Sequence, residues 1–222
     1  VIAVIIPTYG RPRRLADVAA NIHENTTVPH RVVFAVEAED RKTIRACYEI
    51  DCTVVVNQRT RNYAGALNSA IQATDEPFVF AGADDLRFHP GWAEACLAHM
   101  DDWTWVVGTN DLYNKYVLDG SHATHYLVDR RYIDELGGVV DEPPGILSPE
   151  CYSHQFTDTE AIGTAKMRAR FRPCLEAVVE HCHALSGKGH RPDATFRKAM
   201  ADLDADEALY VQRRDLWFGI SR

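Results

Sequence analysis

A chain of 222 residues is long enough for one sizeable α/β domain or two small ones. With 46% hydrophobic and 25% charged residues it is ordinary globular material, which excludes a fibrous or disordered chain. A formal net charge of -8 argues against a general nucleic-acid surface, because neutralising phosphates takes clustered Lys and Arg.

Val1-Ile2-Ala3-Val4-Ile5-Ile6 is an apolar, β-branched run ended by Pro7, the pattern of a strand buried on both faces. After the Thr8-Tyr9-Gly10 turn, Leu15, Val18, Ala19 and Ile22 share one helical face. Residues 31–36 predict a second strand closing on Glu37, and Ile44, Cys47 and Tyr48 a short helix before strand 53–56. Ala64, Leu67 and Ile71 mark another helix, and strand 77–81 runs into Gly82-Ala83-Asp84-Asp85. This alternation predicts a largely parallel sheet with right-handed crossovers over residues 1–100.

Further strands are predicted at 103–107 and 124–128, then a helix at 131–136 capped by Gly137-Gly138. Residues 141–145 read as a loop, because two prolines and a glycine exclude a helix interior. Trp92 reads as a helix anchor in the core, and Phe196, Met200 and Leu203 share a face on a final helix. No linker or repeat divides the chain, so one domain is expected over 1–222, with a helical tail at 186–222.

Ligands of such sheets lie at the carboxyl ends of the strands, where Thr8, Glu37, Asn57 and Asp84 all fall. Adjacent carboxylates at Asp84 and Asp85 repel each other unless a cation lies beside them, and oxygen ligands of this kind suit Mn2+ or Mg2+. A turn in which one of the two caps the next element accounts for an isolated pair equally well. His181 and His183 alternate onto one strand face after the apolar run 177–179. Thr157-Asp158-Thr159-Glu160 reads on its own as a helix start, with acidic groups at the positive end of the dipole. The basic groups of 11–14, 59–61 and 168–172 read as solvated faces.

The six cysteines, at 47, 52, 96, 151, 174 and 182, show no CxxC pair and no metal-ligand spacing, so buried reduced thiols are expected. No apolar run approaches the ~20 residues needed to cross a bilayer. No signal peptide precedes the first strand, so a cytoplasmic protein is expected. Val1 already lies inside a strand pattern, so a few upstream residues are expected.

Ile5-Ile6-Pro7-Thr8-Tyr9, Asn62-Tyr63-Ala64-Gly65, and the strand end Phe78 to Asp85 followed by Phe88-His89-Pro90-Gly91-Trp92 together resemble a family 2 glycosyltransferase of the GT-A fold. The resemblance runs from Val1 to His183, with Arg130 to Gly138 similar to the family's stretch ending in Gly-Gly. It implies an inverting transferase that moves a sugar from a nucleoside diphosphate, a UDP-sugar as first expectation, to an acceptor hydroxyl. It also implies a mostly parallel central sheet flanked by helices, with 1–100 as the nucleotide-sugar half of the single domain and 101–185 as the acceptor and catalytic half.

By position, the resemblance makes Asp158 the general base with Glu160 as a supporting carboxylate, and Asp84, Asp85, His181 and His183 the metal set. The donor set is Thr8, Tyr9, Arg11, Glu37, Asn57, Arg61 and Asp84. Two departures stand out: Gly82 replaces the first Asp of Asp-x-Asp, and Thr157 replaces a Glu. The family's acceptors include glycans, lipids, proteins and small molecules. Compact members occur in phage genomes, where modified DNA bases serve as acceptors and the compartment is the host cytoplasm.

Two rivals remain at this level. A nucleotidyltransferase on sugar phosphates also uses a sheet, carboxylates and a divalent ion, but brings a Gly-rich loop where residues 7–11 hold one glycine. A catalytically silent sugar-nucleotide binding protein is the other, raised by Gly82 and Thr157.

Overall fold

The computed structural model describes residues 1–187 and 192–217, so positions 188–191 and 218–222 of the expected helical tail lie outside the described residues. One eight-stranded sheet, ordered β3-β2-β1-β4-β7-β6-β8-β5, organises the chain. Its first half comprises β1 (Ile2–Thr8), β2 (His30–Val36), β3 (Thr53–Val56) and β4 (Phe78–Ala81), and every pairing among them is parallel. The second half comprises β5 (Leu86–Phe88), β6 (Val106–Asn110), β7 (Tyr126–Asp129) and β8 (Phe171–His181). There β7 runs antiparallel to β4 and β6, and β5 antiparallel to β8, while β6 and β8 are parallel. The sheet is mixed, and the parallel expectation describes its first half.

Strand β1 shows why the sheet is covered on both sides. Ile2, Val4 and Ile6 enter a core with Leu15, Val18 and Ile22 of α1 (Leu15–Asn25), whereas Ala3 and Ile5 enter a second core with Leu67 and Ile71. A strand buried on both faces carries no polar alternation, which is the pattern its sequence shows. Helix α2 (Arg41–Cys47) is capped by Asp40, and α3 (Tyr63–Gln72) by Asn62, whose side chain accepts from Gly65 N at 2.8 Å. Trp92 opens α4 (Trp92–Ala98), fully buried against Phe80 and Phe88, and its indole N–H donates to Thr26 Oγ1 at 3.0 Å.

Several boundaries differ from the sequence reading. The strand expected from Trp103 begins at Val106, because Asp101 turns the chain by accepting from the backbone N–H of Trp103 and Thr104. Strand β8 begins at Phe171 and ends at His181, so His183 lies beyond it and opens a short 3-10 turn. The helix expected at 131–136 is a π-helical turn, Tyr132–Leu136, ending on Gly137 at φ 68°. Helices α5 (Lys115–Leu118) and α6 (Thr157–Met167) follow, and the tail forms α7 (Ala194–Ala201) and α8 (Leu203–Trp217). Among the described residues no helix is long and apolar enough to cross a membrane.

Candidate active site

The parallel strands end on a cavity of about 440 Å³, of the size that holds a small-molecule ligand. Thr8, Tyr9, Arg11, Glu37, Arg61, Asp84, Asp85, Asp158, His181 and His183 all line it. The chain brings them there from β1, β2, β4, α6 and β8, at the carboxyl ends of strands and the start of one helix. The rim is completed from the tail: Thr195, Phe196 and Lys198 of α7 line the same cavity.

The two strand-end carboxylates face different partners. Asp84, 2% exposed, accepts from the Thr8 hydroxyl at 2.6 Å and from Arg11 Nη1 at 2.7 Å. Burial pushes the Asp84 carboxyl up against the pull of the Arg11 charge, and the neighbouring Asp85 adds to the rise. Asp85 instead places Oδ1 3.5 Å from His181 Nε2. Burial alone would raise Asp85; the hydrogen bond and charge of His181 outweigh it and hold this carboxyl well below the usual range. His181 moves oppositely, raised by Asp85 despite burial. The metal set read from sequence is therefore divided: Asp85 and His181 form one unit, and Asp84 is engaged by Arg11.

Arg11 bridges two acids. Besides Asp84, its Nε and Nη2 donate to Asp193 at 2.7 and 3.1 Å, and Asp193 in turn caps α7 by accepting from Phe196 N at 2.8 Å. Arg11 thereby docks α7 over the cavity. Glu37 accepts from Asn57 Nδ2 at 2.8 Å, while Asn57 Oδ1 accepts from Ser69 Oγ and Arg59 N. Asn57 does not line the cavity; it orients Glu37. Arg61 lies 5.9 Å over the Tyr9 ring and pairs with Glu39.

Across the cavity, Asp158 sits in the first turn of α6. Its Oδ2 is 3.2 Å from His122 Nε2, and its Oδ1 accepts from Thr159 N at 2.8 Å. Burial would raise this carboxyl, yet the His122 hydrogen bond and charge lower it on balance. His122 is raised by the same contact against its own burial.

Glu160 requires a correction. It is 1% exposed, it does not line the cavity, and its oxygens are taken by Tyr152 Oη at 2.6 Å and by Arg213 Nε and Nη2 at 2.8 and 2.6 Å. Helix periodicity explains this: two residues after Asp158, Glu160 points roughly 200° around the axis. It joins α6 to α8. Helix α8 also supplies Asp206, which accepts from the N–H groups of Ser153, His154 and Gln155 and so shapes the cavity wall they form.

Among the cavity residues that sequence reasoning passed over, three stand out. His125 is 5% exposed; its Nδ1 bonds the Ala81 carbonyl at 3.2 Å and its Nε2 has no partner among the described residues. Burial and the nearby His181 push it down to about 4, so the ring is neutral with a lone pair on Nε2. Tyr63, whose hydroxyl donates to the Gly82 carbonyl at 3.1 Å, and His154 are the others. His125 was detectable in principle, since it directly precedes the apolar strand 126–128.

This sheet, with an acidic strand end opening on a cavity, is the GT-A architecture. Over residues 3–172 the chain matches the family model described as Glycosyl transferase family 2, and it belongs to that family. Among curated proteins there is no match. A solved mannosyltransferase from Pyrobaculum calidifontis, in complex with GDP-Man and Mn2+, is 19% identical over 95% of this chain, with TM-score 0.69. The present chain covers 64% of that one. A glucosyl-3-phosphoglycerate synthase from Mycobacterium tuberculosis, in complex with Mn2+, UDP-Glc and phosphoglyceric acid, is 13% identical over 92% of this chain and 79% of its own, with TM-score 0.61. TarS 1-349 from S. aureus is 11% identical over 80% of this chain and 59% of its own, with TM-score 0.60. These likenesses establish the fold.

Proposed function

We propose that the chain transfers a sugar from a nucleoside diphosphate to an acceptor hydroxyl, with inversion at the anomeric carbon. The observation that carries this reading is that Asp85 and Asp158 open into one cavity from a strand end and a helix start, each held ionised by its own histidine.

Residues Thr8, Tyr9, Glu37 and Arg61 surround the part of the cavity assigned to the nucleoside, and Glu37 is held for a ribose or base hydrogen bond by Asn57. Arg11 faces the phosphates. Asp85 and His181 are the oxygen and nitrogen pair that would hold a divalent ion, and the unpartnered Nε2 of buried His125 beside them leaves the cavity a further lone pair. When bound, such an ion neutralises charge developing on the nucleoside diphosphate. The mannosyltransferase and synthase, both solved with Mn2+, support this choice.

Asp158 takes the proton from the acceptor oxygen as that oxygen attacks the anomeric carbon opposite the leaving diphosphate. His122 holds one carboxylate oxygen and the Thr159 N–H the other, which fixes the group while its remaining lone pairs serve the acceptor hydroxyl. UDP is the first donor nucleotide to try, since the synthase was solved with UDP-Glc and the mannosyltransferase with GDP-Man.

Calorimetric titration of UDP, GDP, CDP and TDP, each with and without Mn2+, tests the donor half on the wild-type chain and on Asp85→Ala. Metal-dependent binding of one nucleotide, lost in the variant, is expected. Binding of none would return the chain to a silent or different function. For the catalytic half, Asp158→Asn is expected to keep nucleotide binding and lose transfer to a panel of glycan and small-molecule acceptors; loss of nucleotide binding would overturn the base assignment.

A further inference from the structure

We infer that His99, Cys174 and Glu176 form a second cation site, outside the donor cavity, with the ligand chemistry of zinc. One ligand atom from each residue lies within 4.8 Å of the other two. None of the three lines the cavity. His99 is the C-cap of α4, and Cys174 and Glu176 lie on β8, the strand that α4 packs against. Cys174 and Glu176 are two positions apart, but His99 lies 75 and 77 positions before them, so no sequence spacing joins it to the pair.

The local geometry is that of a ligand set more than of a chance contact. His99 Nδ1 bonds the Ala95 carbonyl at 2.9 Å, which keeps the proton on Nδ1 and leaves Nε2 as the lone-pair nitrogen. Metal-bound histidines are normally held this way by a carbonyl or carboxylate. The Cys174 thiol points its proton at Glu176 Oε2, 3.6 Å away. Strand β8 bulges immediately after Cys174: Thr109 pairs with Cys174 but Asn110 pairs with Val178. A bulge re-aims side chains, and here it lies between the thiol and the carboxylate.

Tetrahedral zinc with bonds of ~2.0–2.3 Å sets its ligand atoms roughly 3.3–3.8 Å apart. Cys174 Sγ and Glu176 Oε2, 3.6 Å apart, already have that spacing, so loading requires His99 to close by at most about 1 Å. Glu176 is exposed and His99 only half-buried, so both side chains are able to make that adjustment, while the buried Cys174 is the fixed point. The Cys174 thiol carries its proton in the hydrogen bond to Glu176. Loading exchanges that proton for the ion: the S–H bond is replaced by S–Zn and one proton leaves to solvent. The thiolate and the carboxylate then cancel the two positive charges. A thiolate with an imidazole favours zinc over Mn2+ or Mg2+, and the donor cavity offers no thiolate ligand. The consequence is a staple between α4 and the strand whose far end carries His181.

Cobalt titration of the metal-free protein is the test, read as a thiolate-to-cobalt charge-transfer band in the near ultraviolet. One equivalent is expected to develop the band, and zinc to remove it. Cys174→Ser should abolish it, and Glu176→Gln, at an exposed position that leaves folding intact, should weaken cobalt binding by about 10-fold or more. The Asp85→Asn, His181→Gln double variant should retain the band, which separates this site from the donor cavity. Absence of the band in the wild type, or its survival in a folded Cys174→Ser variant, would overturn the proposal.

Discussion

Asp158 Oδ2 lies 3.2 Å from His122 Nε2, and the contact moves the two groups apart in acidity: the carboxyl is lowered and the imidazole raised. Lowering Asp158 gives stability that is present above the ordinary Asp pKa and lost as pH falls through its folded value. Raising His122 gives stability that is complete below the ordinary His pKa and lost as pH rises through its folded value. The stability difference between wild type and Asp158→Asn is therefore expected to be widest between about pH 3.9 and about pH 6.5. It should narrow above the His122 value, where Lys166 also opposes protonation and Asp111 favours it. Denaturant unfolding at a series of pH values measures this, and a difference that stays constant throughout would refute the coupling.

Asp84 and Asp85 are adjacent yet should respond differently to substitution. Asp85→Asn is expected to abolish Mn2+-dependent nucleotide binding while the fold persists. Asp84→Asn removes the carboxylate that Arg11 and Thr8 share in a buried setting and should cost about 3 kcal/mol of stability, the usual penalty for breaking such a pair. Calorimetry and denaturant unfolding on both variants separate the two roles; equal loss of metal dependence without destabilisation in Asp84→Asn would reverse the assignment.

Glu160→Ala should act on stability alone. It leaves Arg213 and Tyr152 without their buried partner, a change that typically costs about 3–5 kcal/mol. Transfer per folded molecule should stay near the wild-type level at a temperature where the variant is folded. A large drop in kcat in folded Glu160→Ala would return this carboxylate to catalysis.

Gly82 stands where the family's Asp-x-Asp begins, and the structure gives a reason. A Cβ at this position would lie 2.7 Å from Ile6 Cδ1, 3.1 Å from the Ile5 carbonyl and 3.3 Å from the Phe80 ring. Gly82→Asp is expected to destabilise by about 1–3 kcal/mol through overpacking and to add no metal affinity. A melting curve with a Mn2+ titration checks both; tighter Mn2+ binding at unchanged stability would contradict the geometry.

Much of the framework was legible because its signals are local. The buried run of β1, the 3.6-residue period of α1 and the helix opening at Thr157 each record the burial of one element, which its own side chains determine. Asp84 and Asp85 stood out because they end a buried strand, whereas Asp158 and His181 took their roles from the family resemblance. The antiparallel half of the sheet was less legible: β5 spans three residues, and the length of β8 is set by its pairing with β6 and β5 on either side.

The sequence by itself determined the strands and helices of the parallel half and which carboxylates reach the carboxyl ends of its strands. Only the tertiary structure decided how the charges pair. Arg11 meets Asp84 and Asp193, 73 and 182 positions away, Asp158 meets His122 at a separation of 36, and Glu160 meets Arg213 at 53. Hydrophobic periodicity specifies the face a residue presents, because apolar area is non-directional and adds up along an element. An ion pair is made by two particular atoms at hydrogen-bond distance, and their meeting depends on how distant elements pack.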